Sequence, residues 1–599
     1  MSNTSKKVTG IVDKELPNNF VLERLKSPED IKRLDVKQLE VLTAELRSAL
    51  VKKLAAHGGH VGPILGALEA IVALHYVMDA PKDKMVFDVS HQTYVHKMLT
   101  GRIGAFLSPE HYNDVTGFTC PRESEYDIFE IGHTSTAVSL AAGLALDRDL
   151  RGGEENVVAF VGDGALSGGE AFEGLDFAST LRSNFIVVVN DNQMSIAENH
   201  GGLYDNLEEL RRTNGTAECN YFRSLGYRYL YVKDGNDMEK LVEAFRAVKG
   251  SKEPVVVHLN TEKGHGLPVA EREKERFHFS APFDPATGAL LNNVKAETYV
   301  DIFAKHMLGL MRNRRDVVTI TAGTPGAIGF DPARREAAGR QFVDVGIAEQ
   351  TAVAVASGVA KAGGRPVFGV VASFLQRAYD QLSQDVAING TSPVFVVFMD
   401  GVFGLNDVTH LGFFDVPMVT DIPGIQFLEP TNAEEYTAMI DYAVRQTSRP
   451  VVVRTPGGPV VHADGPVAVD YTDAGYEVVE HAGDVAVIAA GAFFGIGRKA
   501  VELLKTRGVE ATLIKPLVMS DIDTGVLDML ADYKTVITLE DNSLDGGMGQ
   551  KIAAYLSPMG VRVHCLGLPK AIPDRFNAAE LLEQQGLTPE NVADLAMKH

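Results

Sequence analysis

The sequence predicts an α/β protein of three doubly wound domains. Two observations carry this. Short, continuous Val/Ile runs are each followed by a Gly- or Asn-bearing turn and then a helical stretch, which is how buried parallel strands with crossover helices read. The pattern also comes in three sets, with the Pro- and Gly-rich stretch PGGPVVHADGPVAVDYTDAG (456–475) between the second and third, as a linker would be. A weaker break falls near FDPATGALLNNVKAE (283–297). The expected domains are about 1–305, 306–470 and 471–599.

In chain order, the first 30 or so residues are polar and read as an extended lead-in. They contain no apolar core of the kind a signal peptide needs. From Asp35 to about Met78 apolar residues recur at spacings of three and four, the helical period. The pair Gly58-Gly59 interrupts that helix before LGALEAIVALHYVM restarts it. The first strand set is VVAFVGDG (157–164), FIVVVNDN (185–192) and PVVVHLNTEKG (254–264). The second is VVTITAG (317–323), PVFGVVAS (366–373) and PVFVVFMDG (393–401). The third is VAVIAAGAF (485–493), VEATLIKPL (509–517), KTVITLEDN (534–542) and VRVHCLGLP (561–569).

Composition narrows the function. With 57 Lys+Arg against 79 Asp+Glu, the formal charge is −22. Phosphate backbones are met with basic surfaces, so nucleic acid is not an expected partner. No run approaches the roughly 20 apolar residues of a membrane span. Three widely spaced cysteines, Cys120, Cys219 and Cys565, offer neither a disulfide framework nor a cysteine zinc site, which fits a reducing cytosol.

Gly162-Asp163-Gly164 ends one apolar strand and opens ALSGGEAFEGLDFA; 27 residues separate Gly164 from Asn192, which closes the next strand. Carboxyl ends of neighbouring parallel strands meet at one crevice, where ligands bind. Asp163 and Asn192 can therefore converge on one hard cation, and Mg²⁺ prefers such oxygen ligands together with substrate phosphates. The following helix would turn its amides towards a diphosphate. Either motif alone is an ordinary strand end; the pair, in this order, resembles the thiamine diphosphate fingerprint. Glu349 stands at the start of an apolar helix in DVGIAEQ. A first-turn acid is ordinarily a dipole partner, but this whole segment resembles the glutamate motif of transketolase-type enzymes.

The resemblance runs along nearly the whole chain, to the transketolase superfamily and most closely to its 1-deoxy-D-xylulose-5-phosphate synthase family. GGHVGPILGALEAIVALHYV, FDVSHQTYVHKMLTGR, IGHTSTAVSLAAGLA, VGDGALSGGEAFEGLDFA and VVNDNQMSIAEN are similar to that family's first domain. DVGIAEQ, SFLQRAYDQLSQDVA and THLG are similar to its second, and IKPLVMSDID, LEDNSLDGGMGQ and LGLP to its third. The resemblance implies two thiamine-binding domains, for the diphosphate and then the pyrimidine, followed by a transketolase C-terminal domain. It implies that pyruvate is decarboxylated and its two-carbon remnant joined to glyceraldehyde 3-phosphate.

The resemblance also implies roles for residues. His91, Gly132, His133 and Thr134 would contact the cofactor, and Gly164 and Ala165 would hold its diphosphate. Asp163, Asn192 and the Met194 carbonyl would bind Mg²⁺. Glu349 would activate the aminopyrimidine and Phe374 would stack on it. His60, His91, His278 and His410 would surround the reacting carbons, where a near-neutral pKa suits proton transfer. Arg377 and Arg454 are the candidates for the acceptor's phosphate, because guanidinium binds phosphate bidentately. The family is dimeric, so a homodimer is expected.

Departures from the family cluster at the acceptor end. Val371 stands where the synthase usually has Tyr, Met399 where an Arg would bind phosphate, Asn406 where an Asp would meet the acceptor hydroxyls, with Asp407 beside it, and Leu267 where a Tyr lies near the cofactor. These leave open a relative that uses another ketol donor or aldehyde, and, in a different class, a catalytically reduced cofactor-binding protein. The charged stretch LYDNLEELRRTNG (203–215) reads either as a mobile helix over the active site or as a plain solvated one.

Overall fold

A computed structural model of the protein describes residues 22–292 and 296–598. Most of the expected lead-in lies outside the described residues. The chain divides into two compact units, between residues 294 and 295.

The first unit holds one sheet of five strands, β1 (Lys84–Phe87), β2 (Val157–Gly162), β3 (Phe185–Asp191), β4 (Arg228–Val232) and β5 (Val255–Asn260), in the order β1-β2-β3-β5-β4. All neighbours are parallel. Alternate residues of the Val-rich strands face opposite ways, so two cores form. Val158, Phe160, Ile186 and Val188 pack with the helices Val36–His57, Gly62–Val77 and Met238–Val248. Val157, Ala159, Val187 and Val189 pack with Ala137–Arg151, Gly169–Ala178 and Gly202–Arg212. This is the doubly wound arrangement the continuous apolar runs imply. The long N-terminal helix ends at His57, where Gly58 and Gly59 adopt φ of 84° and 129°, in the region only glycine enters freely. The helix read directly after Gly164 begins instead at Gly169, after a 3₁₀ turn over Asp163–Ser167.

The second unit contains two sheets. The first has β6 (Val317–Thr321), β7 (Phe342–Asp344), β8 (Arg365–Val371), β9 (Val394–Phe398), β10 (Gln426–Leu428) and β11 (Val451–Arg454), ordered β10-β11-β9-β8-β6-β7 and parallel throughout. The second has β12 (Tyr476–Glu480), β13 (Val485–Ala489), β14 (Thr512–Pro516), β15 (Thr535–Ser543) and β16 (Arg562–Leu568), ordered β12-β14-β13-β15-β16. Only the edge strand β12 runs antiparallel. One apolar core joins Val394–Phe398 of the first sheet to Ile488, Ile514 and Val536 of the second. The boundary expected near 305 falls inside the helix Tyr299–Asn313, whose start is fixed by Thr298 accepting from the Asp301 N–H. The Pro- and Gly-rich 456–475 stretch is not a loose tether: Val461 exchanges hydrogen bonds with Tyr299 and Ala433, and Tyr471 is buried.

Arg148 ties the first unit's sheet to a crossover helix. It is buried, and its Nη1 donates to the Glu155 carbonyl at 2.8 Å and the Asn184 carbonyl at 2.5 Å. Removing the donor strands two carbonyls, at about 1–3 kcal/mol each. Arg148→Met should therefore lower the unfolding free energy by about 2–4 kcal/mol, read as a reduced urea midpoint at an unchanged slope.

Candidate active site

In the first unit β2 and β3 lie side by side, with Gly162 opposite Asn190. Their carboxyl ends thus bring the Gly-Asp-Gly and Asn-Asp-Asn segments together. Asp163 is buried, and one of its oxygens accepts from Asn199 Nδ2 at 2.7 Å. Burial and the neighbouring Asp191 push its carboxyl up to about 8, against the opposing Lys263. The Asn192 side-chain oxygen is buried without a hydrogen-bond partner. Gly164 faces Ser195, whose Cβ lies 2.5 Å from where a Gly164 Cβ would stand, so no side chain can cover that turn. An under-neutralised carboxylate beside an orphaned amide oxygen is a donor set that fits a hard cation. After Asn192 the chain reverses through Gln193 (φ 69°), and Met194 bridges to Glu198. Ala165 lies in the same 3₁₀ turn, its carbonyl accepting from Ser135 Oγ at 2.8 Å.

Asp191, the middle residue of the Asn-Asp-Asn segment, has a different fate. Burial alone would raise it, but a hydrogen bond from His258 at 2.8 Å and the paired Arg211 hold it below the ordinary range. Arg211 lies on the helix Gly202–Arg212, and so does Tyr204, whose hydroxyl donates to the Asp163 and Gly164 carbonyls at 3.2 Å. The charged 203–215 stretch is therefore seated on the Gly-Asp-Gly turn. Tyr204 and Lys263 escaped the sequence reading. Lys263 follows an apolar strand in TEKG, is buried, and donates to the Ser195 carbonyl. Its position just past a strand end was the available signal.

His60, His91 and His278 form a triangle, with ring centroids 4.7, 5.5 and 5.6 Å apart. Burial, then Lys263 and the other two rings, hold His278 well below the ordinary histidine range, which favours the neutral imidazole. His91 follows Val89 and Ser90, which have φ of 57° and 63°. Left-handed backbone at a β-branched residue is strained. It is held here by Asp88, whose two oxygens accept from the Ser135 and Ala137 amides, and by Ser90 Oγ donating to the Ile131 carbonyl. The His91 loop is thereby fastened to the loop carrying Gly132, His133 and Thr134. His96 stands apart from the triangle, bonded to His75 at 2.8 Å and to Asp127 at 2.9 Å in a buried network with Arg102.

In the second unit Glu349 is the first residue of the helix Glu349–Lys361 and is buried. Burial raises its carboxyl, while Arg377, 3.7 Å away, works against the rise. Phe374 meets His410 edge to face at 5.5 Å. Asp407 accepts from Thr409 and lies 3.1 Å from His410 Nδ1, contacts that keep its carboxyl low despite burial. Asn406 donates to the Phe576 carbonyl at 2.9 Å. Met399 sits just past β9 with φ 54°. Val371 ends β8 and Leu267 precedes the short helix Pro268–Arg272, both buried.

Arg454 does not have the surroundings expected of a phosphate ligand. Its side chain is 2 % exposed. Nε donates to Asp415 at 2.8 Å, Nη1 to Glu429 at 2.8 Å, and Nη2 to the Asp541 carbonyl at 2.9 Å, with Asp400 3.5 Å from Nε. Three carboxylates and the Asp541 carbonyl surround one guanidinium, a setting that suits a structural side chain. The sequence showed an arginine at a strand end but not the acids that other strand ends bring to it.

Residues 22–220 and 213–261 match a family model described as 1-deoxy-D-xylulose-5-phosphate synthase. Residues 295–459 match the transketolase pyrimidine binding domain, and 475–592 the transketolase C-terminal domain. The 1-deoxy-D-xylulose-5-phosphate synthase of Pelotomaculum thermopropionicum is 35% identical, with 96% of each chain covered. Those of Symbiobacterium thermophilum and Nocardia farcinica are each 37% identical, covering 96% of this chain and 94% and 98% of theirs.

The acid-rich cluster makes stability fall with pH. Burial pushes Asp541 up to about 7, against Arg454, and Glu540 up to about 7. Unfolded carboxyls titrate near 4, so the folded state binds more protons between about pH 4 and 7, and stability is lost as pH rises through that window. The urea midpoint should drop between pH 5 and pH 8, by the equivalent of about 1–3 kcal/mol, and Asp541→Asn should flatten the drop.

Proposed function

The chain belongs to the 1-deoxy-D-xylulose-5-phosphate synthase family, and from that premise we propose that it decarboxylates pyruvate and joins the two-carbon remnant to glyceraldehyde 3-phosphate, using thiamine diphosphate and Mg²⁺. The observation that carries the cofactor reading is the pairing of Asp163 with an Asn192 oxygen that is buried and unpartnered at the adjoining strand end. Asp163, Asn192 and the Met194 carbonyl are the proposed Mg²⁺ ligands. The amides of Gly164 and Ala165, with His91, Gly132, His133 and Thr134, are the proposed diphosphate and thiazolium contacts. When bound, thiamine diphosphate supplies a nucleophilic carbon that stores the electron pair released with CO₂.

The protein's part is position, charge and protons. Glu349 has an oxygen with no hydrogen bond in a buried setting, which suits a carboxylate awaiting a ring nitrogen. Phe374 offers a face for that ring. His60 and His91, with the neutral His278, are proposed to move protons at the alkoxide oxygens, and His410, oriented by Asp407, to do the same. Arg377 remains the candidate for the acceptor's phosphate once Arg454 is withdrawn. Residues 1–294 form the proposed diphosphate domain, 295–470 the pyrimidine domain and 471–599 the C-terminal domain, in a homodimer. No helix among the described residues is long and apolar enough to cross a membrane, and with its three unpaired cysteines a cytosolic location is proposed.

The test is CO₂ release from pyruvate by the purified protein with thiamine diphosphate and Mg²⁺, with and without glyceraldehyde 3-phosphate. Stimulation by the aldehyde with accumulation of deoxyxylulose phosphate is expected; inert pyruvate beside reacting ketose phosphates would replace this reading with a transketolase-like one. Glu349→Gln should lower kcat by about 10²–10⁴-fold, whereas wild-type turnover in that variant would remove Glu349 from the mechanism.

A further inference from the structure

The segment that carries Asp407 and His410, residues 399–414, is a loop between β9 and the helix Asp415–Thr420. Its two ends are stitched to each other by the Gly401 amide donating to the Gly412 carbonyl at 2.8 Å. Nothing else in that stitch fixes where the loop lies. Its placement comes in part from Asn406 Nδ2 donating to the Phe576 carbonyl at 2.9 Å and the Val408 amide donating to Asp574 at 3.3 Å, and in part from β15, which belongs to the other sheet of the same unit. Asp541 Oδ1 accepts from the Val402 amide at 2.8 Å, and the Asp541 carbonyl accepts from Arg454 Nη2 at 2.9 Å. The same Nη2 reaches the Gly412 carbonyl at 3.4 Å, and the Ser543 amide donates to the Phe413 carbonyl at 2.8 Å. Asp541 thus touches one end of the loop directly and the other through Arg454.

The contact is close enough to dictate sequence. Gly401 has φ +59°, and a Cβ there would fall on the Asp541 carboxylate. The second Asp541 oxygen is buried without a hydrogen-bond partner, so the acid is not held for a full set of bonds of its own. What its position provides is an acceptor for Val402, opposite a glycine that lets the backbone approach.

We propose that Asp541 is a positioning residue that sets His410 against Phe374 by fixing the 399–414 loop from the C-terminal sheet. This rests on the reading of His410 as a group acting at the reacting carbons. A displacement of about 1 Å at a reacting group costs on the order of 10²-fold in rate, so a loop free to shift would show in turnover before it showed in folding.

The experiment is a double-variant cycle on the thiamine diphosphate- and Mg²⁺-loaded enzyme. Asp541→Ala should cut kcat at least tenfold while the calorimetric Kd for thiamine diphosphate stays within about threefold, because the diphosphate contacts lie elsewhere in the chain. Asp541→Asn, which keeps an acceptor for Val402, should recover at least half of wild-type kcat. Gly401→Ala attacks the same contact from the loop side and should reproduce the Asp541→Ala loss, which covers the case in which Asp541→Ala does not fold. Since Asp541 acts through His410, Asp541→Ala combined with His410→Ala should be no more than about twofold slower than His410→Ala alone. Multiplying losses in that pair, or wild-type turnover in both Asp541→Ala and Gly401→Ala, would overturn the inference while leaving His410 in its role. A His410→Ala enzyme with wild-type turnover would instead remove His410 from the mechanism, and the positioning role with it.

Discussion

Carboxylates buried at the carboxyl ends of parallel strands are the constraint on which the rest of this structure turns. A charge removed from water must be paired, protonated or bound to a cation. The two units meet this requirement differently. In the first, Asp191 is satisfied by His258 and Arg211, while Asp163 has hydrogen bonds from the Asn199 side chain and the Asn192 backbone and only Lys263 as an opposing charge. In the second, Asp400, Asp415, Glu429 and Asp541 crowd around Arg454 until the guanidinium has nothing left to offer. Parallel strand ends thus leave an under-paired acid in one case and a closed cluster in the other.

Around the under-neutralised acid, the backbone is held rather than free. Val89 and Ser90 accept left-handed conformations because Asp88 and Ser90 Oγ tie their loop to residues 131–137 on the other side. Strain of this kind survives only where surrounding bonds over-determine it. Its effect is to present His91 to His60 and His278 at fixed distances. Tyr204 performs a related service for the Gly-Asp-Gly turn, bonding two successive carbonyls that a 3₁₀ turn leaves exposed. The helix that brings Tyr204 also brings Arg211 to Asp191, so one amphipathic segment, with Leu207 and Leu210 facing inward, fixes the backbone and the charge together.

The strands that form the sheet centres were legible because each is a continuous apolar run. Those missed are short or mixed and lie at sheet edges: Lys84–Phe87 and Arg228–Val232 in the first sheet, Phe342–Asp344 and Gln426–Leu428 in the second, and Tyr476–Glu480 in the third. An edge strand is half-solvated and need not be apolar throughout, so its pattern fades into that of a loop. The convergence of Asp163 and Asn192 was legible from spacing, since two consecutive strands with a crossover helix usually pair in parallel. The triangle of His60, His91 and His278 was reached only by resemblance, because these residues lie on three loops far apart in the chain. Arg454 was misassigned for the converse reason. Residue type and strand-end position are visible in a sequence, but the acids that arrive from β9, β10 and β15 depend on strand order.

Strand order also fixes what stands beside Arg454. β9 and β10 flank β11 on either side, so the residues that follow them stand beside whatever β11 ends in. Met399 and Asp400 follow β9, and Asp400 adds one more buried carboxyl to the cluster, pushed well above the ordinary range by burial. An arginine at 399 would have given the neighbourhood a second guanidinium; a methionine leaves Arg454 as the nearest cation to all four acids. Arg454 is committed to that cluster, because its Nε, Nη1 and Nη2 each already donate to protein oxygen. The charge balance of the sheet end therefore commits Arg454 to the protein's own acids, which leaves Arg377 as the proposed partner for an anionic acceptor.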